Sequence, residues 1–337
     1  MRYFTLLMAL VILPVPCHAQ TSRRWEPVKG INLAWIGTSY GIDFGTNPDN
    51  KYECVYRREW LDQAFRDIKG MKMNVVRIFV FEDLEGLIFD EKGYVSGIDP
   101  LLINNFQDAL GLASNHNLKL YLALGNNFRG KARSLRKRDI ITDPRARRAY
   151  INNAVKPFIE SLKGKAVFAI DVHNEPEMEQ LPWELLRVYI KEVTSAIHRY
   201  DPARRVSVGG GLFSGPVTAE RVSAYKGLGL DFYDIHIYDK DAKIPPVRDL
   251  NVGLPVLIGE FNSNAKNAKD LTDKDITDVV RKLLPRARDN GYLGALYWNY
   301  GPGKAGMQLV DDWGKELRPA ANVLREFEWK FPANRRR

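Results

Sequence analysis

Eight short runs rich in Val, Ile, Leu and aromatic residues recur along the chain, at 29–35, 75–81, 118–124, 167–173, 205–210, 232–238, 255–261 and 294–300. Apolar runs of this length are what strands buried on both faces look like, and such strands belong to parallel sheets covered by helices. Between them lie stretches with apolar residues at helical spacing. Leu61, Phe65 and Ile68 mark 59–71; Leu102, Phe106, Leu110 and Ala113 mark 101–116. Leu186, Tyr189, Val193 and Ile197 mark 185–200; Val279, Val280 and Leu283 mark 276–290. Strand, crossover, strand, eight times over, predicts an α/β fold, a single (β/α)8 TIM barrel with 317–327 as its last helix. An open doubly wound sheet is the alternative, and it would show a glycine-rich phosphate turn after the first strand. Asn32-Leu33-Ala34-Trp35-Ile36-Gly37 stands there instead. Gly209-Gly210-Gly211 lacks the Lys-Ser/Thr of a phosphate loop and reads as close backbone approach at a strand end.

Residues 1–19 read as a signal peptide outside the fold. Arg2 supplies the positive end, and 3–15 is an apolar run shorter than the roughly 20 residues of a membrane span. Cys17-His18-Ala19 offers small residues for cleavage after Ala19, which leaves 20–337 as the barrel domain. A lipid anchor on Cys17 is the alternative, and Pro14 and Pro16 fit it poorly. The mature chain is therefore expected to be exported, periplasmic or secreted, with no transmembrane segment, and we read it as a monomer. Losing Cys17 leaves Cys54 alone, so no internal disulfide is expected. The formal charge is +9, and its excess is concentrated in 129–148, where Arg and Lys far outnumber Asp139 and Asp143. That segment is either a solvated face, like the Arg335-Arg336-Arg337 tail, or a surface that attracts polyanions. Nucleic acid is not expected as a partner, because an exported chain with no recognisable binding motif gives it no purchase.

In a barrel of this kind functional groups collect where strands end. Strand two ends in Arg77 with Glu82 nearby, strand three in Asn126 and Asn127, and strand four in His173, Asn174 and Glu175. Strand six ends in His236 and Tyr238, strand seven in Glu260, strand eight in Trp298 and Asn299. Polar residues ending six of eight buried strands on one rim form a site. Glu175 and Glu260 follow apolar runs, and paired carboxylates are what glycosidic bond cleavage needs. Burial and like charge are expected to raise the pKa of one, while Arg77 and Tyr238 hold the other ionised. Structural alternatives stand beside these roles: Arg77 paired with Glu82 or Asp83, His236 as a satisfied core histidine, and Trp35 and Tyr40 as core or loop aromatics. His173 reads as an orienting residue. A metal-dependent barrel hydrolase would need a histidine cluster such as His-x-His; the mature chain has only His116, His173, His198 and His236. Neither metal nor cofactor is expected.

Asn174-Glu175-Pro176, His236-Ile237-Tyr238, Gly259-Glu260-Phe261 and Tyr297-Trp298, in those barrel positions, resemble the clan of retaining (β/α)8 glycoside hydrolases. Within it the chain is most similar to glycoside hydrolase family 5, the cellulase and β-mannanase family. Val76 to Phe81 and Thr142-Asp143-Pro144 through Tyr150 resemble its mannanase-like members. The resemblance covers nearly the whole mature chain. It implies Glu175 as general acid/base and Glu260 as nucleophile. It places Asn174 on the sugar 2-hydroxyl and Trp298 under the sugar. Arg77 and Tyr238 would orient Glu260, His236 would line the site, and Asn126 and Trp35 would contact the glycan. The implied activity is cleavage of a β-linked glycan of mannan or glucan type by double displacement. A transglycosylase, or a barrel that binds glycan without cutting it, are the alternatives on this scaffold. The chain departs from the family pattern in having Gly125-Asn126-Asn127 where many members place a His, and His173 where a small or apolar residue is usual. It also carries Arg129-Gly130-Lys131-Ala132-Arg133 on the expected rim, which suggests a glycan bearing acidic groups.

Overall fold

The computed structural model describes residues 24–36, 43–49, 53–211, 216–239, 241–263, 271–301, 306–310 and 315–330. The leader 1–19, Tyr40 and the Arg335–Arg337 tail lie outside these. Each of the eight runs contains one strand: β1 (Val28–Asn32), β2 (Val75–Phe79), β3 (Lys119–Ala123), β4 (Val167–Asn174), β5 (Val206–Gly210), β6 (Tyr233–Ile237), β7 (Val256–Phe261) and β8 (Gly294–Tyr297). They pair in parallel around a closed ring, and β1 meets β8 with Val28 opposite Gly294 and Ile31 opposite Tyr297. β1 stops at Asn32, short of the expected 35. Leu33 still donates to the Arg77 carbonyl at 2.9 Å, and the chain then leaves the ladder for the rim.

The amphipathic stretches form helices Arg58–Gly70, Pro100–Asn115, Trp183–Tyr200 and Asp273–Asp289, each burying its apolar stripe against the barrel. Asp99 caps the second by accepting the Leu101 N–H, and Thr272 with Asp275 forms a capping box on the fourth. The last helix is Ala320–Glu326. No described helix is long and apolar enough to cross a membrane. Several elements are not legible as periodic runs. Pro144–Tyr150 and Lys156–Ser161 are joined through a π-helical turn at Ile151–Val155. Among the described residues the helices in the crossovers after β5 and β6 are Ala219–Ser223 and Val247–Leu250, and an antiparallel hairpin (Leu87–Phe89 with Val95–Ile98) hangs from the loop after β2.

The barrel interior is layered. Val75, Tyr121, Phe168, Phe232, Leu257 and Leu296 fill its lower half, with Trp25 packed against them. Above them sit the buried charges Arg77, Asp171 and Asp234, and above these the rim. On β4, Ile170 and Val172 face the helices; on β7, Ile258 does. Strict alternation would send Asn174 and Glu260 the same way. Each strand instead carries one extra residue just before that position, and β4 has a further shift against β3 between Val167 and Ala169. Asp171 pairs with Ser207 and Asn174 with Gly209, while Ile258 pairs with Ile235 and Glu260 with His236. These bulges turn Asn174 and Glu260 inward and send Phe261 out into the helix-facing core.

Candidate active site

Glu260 is held on both oxygens. Arg77 Nη1 donates to Oε1 at 2.6 Å, and the Tyr238 hydroxyl donates to Oε2. Arg77, only 1% exposed, is the hub of the site. Nη1 also reaches Asn32 Oδ1 (3.0 Å), and Nη2 donates to Asp171 Oδ2 (2.6 Å) and Asn174 Oδ1 (2.7 Å). Its ion-pair partners are therefore Glu260 and Asp171, and not Glu82 or Asp83. One guanidinium fork thus sets two of the inward-turned side chains at once.

Glu175 directly follows β4 in the left-handed region, with φ +43°, before Pro176 fixes the next residue. Its N–H is tied to the Gly209 carbonyl at 2.7 Å. The three glycines 209–211 at the end of β5 are needed for close approach. A Cβ on Gly211 would lie 2.7 Å from Glu175 Cδ, and one on Gly209 about 3 Å from Asp171, Arg77 and His236. Across the gap, His236 Nδ1 lies 2.8 Å from Glu175 Oε1 and 3.4 Å from Glu260 Oε2. The facing atoms of Glu175, His236 and Glu260 all lie within 4.8 Å of one another. Among the described residues this is the one cluster with metal-ligand spacing. The neighbouring Arg77 charge and the donors already on both Glu260 oxygens oppose a cation there.

The electrostatics differ from the simple expectation of one raised acid. Burial would raise Glu175, but the hydrogen bond and charge of His236 outweigh it and hold the carboxyl below 4.5. Burial would lower His236, yet the Glu260 charge and then the Glu175 hydrogen bond lift it to about 9. Burial raises Glu260, with the His236 and Arg77 charges opposing. At neutral pH the site's spare proton therefore sits on His236, shared toward Glu175, with Glu260 as the anion held by Arg77 and Tyr238.

Trp35, Phe79, Asn126, Asn174, Glu175, Tyr238, Glu260 and Trp298 line one cleft of about 510 Å³. Arg77 and His236 lie buried beneath it and act through the two glutamates. The Trp35 and Trp298 rings meet edge to face at 5.5 Å and form an apolar corner. Asn127, which the sequence offers with Asn126 either to hydrogen-bond sugar or to cap the following loop, also lines the cleft, as do Asp83, expected only as a candidate partner of Arg77, and Met178 and Glu179, which no sequence signal marked. Met178 is 69% exposed. A fully buried carboxylate ties the wall together: Glu82 accepts from Asn126 Nδ2 (2.6 Å) and Trp35 Nε1 (2.8 Å). Asn126 in turn accepts from Asn174 Nδ2 at 3.3 Å.

The two departures around β3 and β4 are one packing solution. The His173 ring occupies the space a side chain at Gly125 would need, since a Cβ there would lie 2.3 Å from His173 Nδ1. His173 is held by Glu179 (3.0 Å) and the Tyr189 hydroxyl (3.3 Å). The basic rim segment does not enter the cleft. Arg129 faces Asp139, Lys131 faces Asp49, Arg147 faces Glu192, and Lys137 and Arg138 lie over Phe89 and Tyr94. Among the described residues, every charged side chain lining the cleft is a carboxylate.

Residues 38–245 match the family model described as Cellulase (glycosyl hydrolase family 5). The chain is 25% identical to a mannan endo-1,4-beta-mannosidase of Mytilus edulis, over 81% of this chain and 83% of that protein. It is 26% identical to one of Cryptopygus antarcticus, over 82% of this chain and 81% of that protein. The X-ray structure of the Mytilus edulis beta-mannanase superposes with a TM-score of 0.66 at 21% identity, covering 89% of this chain and 90% of that one, which is a likeness of fold.

Proposed function

The chain belongs to glycosyl hydrolase family 5 and is an O-glycoside hydrolase, and from that premise we propose a retaining endo-β-1,4-mannanase, exported and working on neutral β-mannan. The observation that carries the mechanism is the spacing of the acidic pair, whose facing oxygens lie within 4.8 Å. Retaining enzymes hold their carboxyl groups about 5–5.5 Å apart, whereas inverting ones leave about 6.5–9.5 Å for a water. In the first step Glu260 attacks the anomeric carbon and the C–O bond to the leaving sugar breaks. The one proton shared by His236 Nδ1 and Glu175 passes through Glu175 to that oxygen, which leaves Glu175 ionised and His236 neutral. In the second step a water loses a proton to Glu175, its oxygen bonds the anomeric carbon, and Glu260 is released. The Asn174 amide lines the cleft with its oxygen fixed by Arg77 and one N–H on Asn126, and its second N–H is the donor for the sugar 2-hydroxyl. The Trp35–Trp298 corner gives the pyranose an apolar face to pack on.

Two features support a neutral mannan. The relatives above are described as mannan endo-1,4-beta-mannosidases. Among the described residues the cleft's charged lining is all carboxylate, which repels an acidic glycan rather than attracting one. Product profiling on β-mannan, mixed-linkage and β-1,3-glucan, xylan and a polyuronate tests the proposal, with Glu260→Ala as control. The expected result is mannan cleaved to medium oligosaccharides, a first product with retained anomeric configuration by NMR, and no cleavage by the variant. An inverted product, monosaccharide release from the first minutes, or preference for the polyuronate would each overturn a part of it. Export rests on the leader sequence, and a mature N-terminus at Gln20 is the expected readout.

A further inference from the structure

The opposite end of the barrel holds a second hollow, of about 410 Å³, where β3, β4 and β5 begin. Its charged lining is Lys119, Lys163, Lys165, Arg204 and Arg205 against the single acid Asp201. Asp201 is already paired with Arg204 at 2.9 Å, and Arg204 also spends donors on the Leu162 and Val167 carbonyls. Lys119 has only an exposed partner, Glu26 at 3.2 Å. Lys163 and Lys165 have no ion-pair partner among the described residues. They flank Gly164, whose φ of +74° makes the tight turn that presents both lysines at the hollow's edge. The Arg205 guanidinium lies over the Trp25 ring at 3.9 Å, so its planar fork is held in a fixed orientation. Like charges around one concavity repel, and a hollow walled by protein concentrates their field. The arrangement is relieved by an anion.

We propose that this hollow is a binding site for acidic polysaccharide, taking a carboxylated or sulfated sugar unit and thereby tethering the protein to an anionic matrix. Its concave form suits one or two sugar rings, where a flat cationic face would suit a lipid surface and a long stripe a nucleic acid backbone. It lies about 25 Å from the catalytic cleft, the length of β4 at the usual strand rise. A tethered molecule would therefore keep its cleft free. The proposal does not depend on which glycan the cleft cuts, because the two sites share no residue.

The test is calorimetric titration of the full mature protein with trigalacturonate at low ionic strength, about 20 mM. The comparison is the charge-reversed variant Lys163→Glu/Lys165→Glu, whose changes fall in an exposed turn. The expected result is saturable binding that weakens with added salt and is at least tenfold weaker in the variant, with hydrolysis of soluble neutral mannan unchanged. Absent binding, or equal binding by both proteins, overturns it. Inorganic phosphate binding as tightly as trigalacturonate replaces it with a small-anion site. Variant-sensitive retention on phosphatidylglycerol vesicles or RNA, without trigalacturonate binding, replaces it with those partners.

Discussion

His236 faces both glutamates through one nitrogen, and that single contact decides where the catalytic proton rests. Its pKa in the fold, about 9, lies above the ordinary 6.5. Its contribution to stability is therefore full below about pH 6.5 and is lost as pH rises through about 9. The same proton feeds Glu175, so the alkaline limb of kcat/KM is expected near the pH where the pair lets it go. In His236→Gln the limb should move to lower pH by about one unit or more, and the Tm deficit of the variant should shrink between pH 6.5 and 9. An unmoved limb would remove His236 from the proton's path. Glu82 acts differently, through orientation alone. Glu82→Gln can accept from only one of Trp35 and Asn126 without presenting its own NH2 to the other. Losing one such bond costs about 1–1.5 kcal/mol. The expected readout is a KM for mannan raised roughly tenfold with kcat little changed. The glutamates, Asn174, Tyr238 and Trp298 were legible in the sequence because each follows an apolar run. Met178 and Glu179 were not, and Glu82 and Asp83 showed only as rim neighbours of Arg77, since nothing local distinguishes a loop acid or methionine that folds back over a cleft from one left in water.

Strands β4 and β7 show where pattern reading stops. Their positions follow from hydrophobicity, yet a period of two places Asn174 and Glu260 on the helix side with Val172 and Ile258. Only the register against β5 and β6 reveals the added residues that turn them inward. The same bulge on β4 sends His173 outward onto Glu179 and Tyr189, which in turn makes Gly125 obligatory. Gly125→Ala would press a methyl against a fully buried ring with two hydrogen-bonded anchors. Overpacking of this kind costs about 2 kcal/mol. The variant should melt lower, and adding His173→Ala should recover most of the loss in a double-mutant cycle. Additive losses would show that the two positions do not share one space.

The ring as a whole was legible because eight doubly buried strands leave few other ways to be covered. The crossovers after β5 and β6 were not, because helices of five and four residues are too short to display a period. Closure itself rests on small residues at the seam. A Cβ on Gly294 would stand 2.1 Å from the Val28 carbonyl oxygen, and one on Gly30 2.7 Å from that of Val75. Gly294→Ala is expected to cost about 3 kcal/mol by forcing β1 and β8 apart and to lower Tm by roughly 5 °C, with the kinetic constants of the surviving enzyme nearly unchanged. A Tm unchanged by the substitution would show that the seam yields. The two bulges have a different kind of consequence. They separate the frame from the tool it carries, because a single added residue in each of two strands does the aiming while the other strands keep plain alternation. A descendant that dropped one of those residues would inherit a sound barrel with a silent mouth, and one that regained it elsewhere on the ring would inherit a new place to do chemistry.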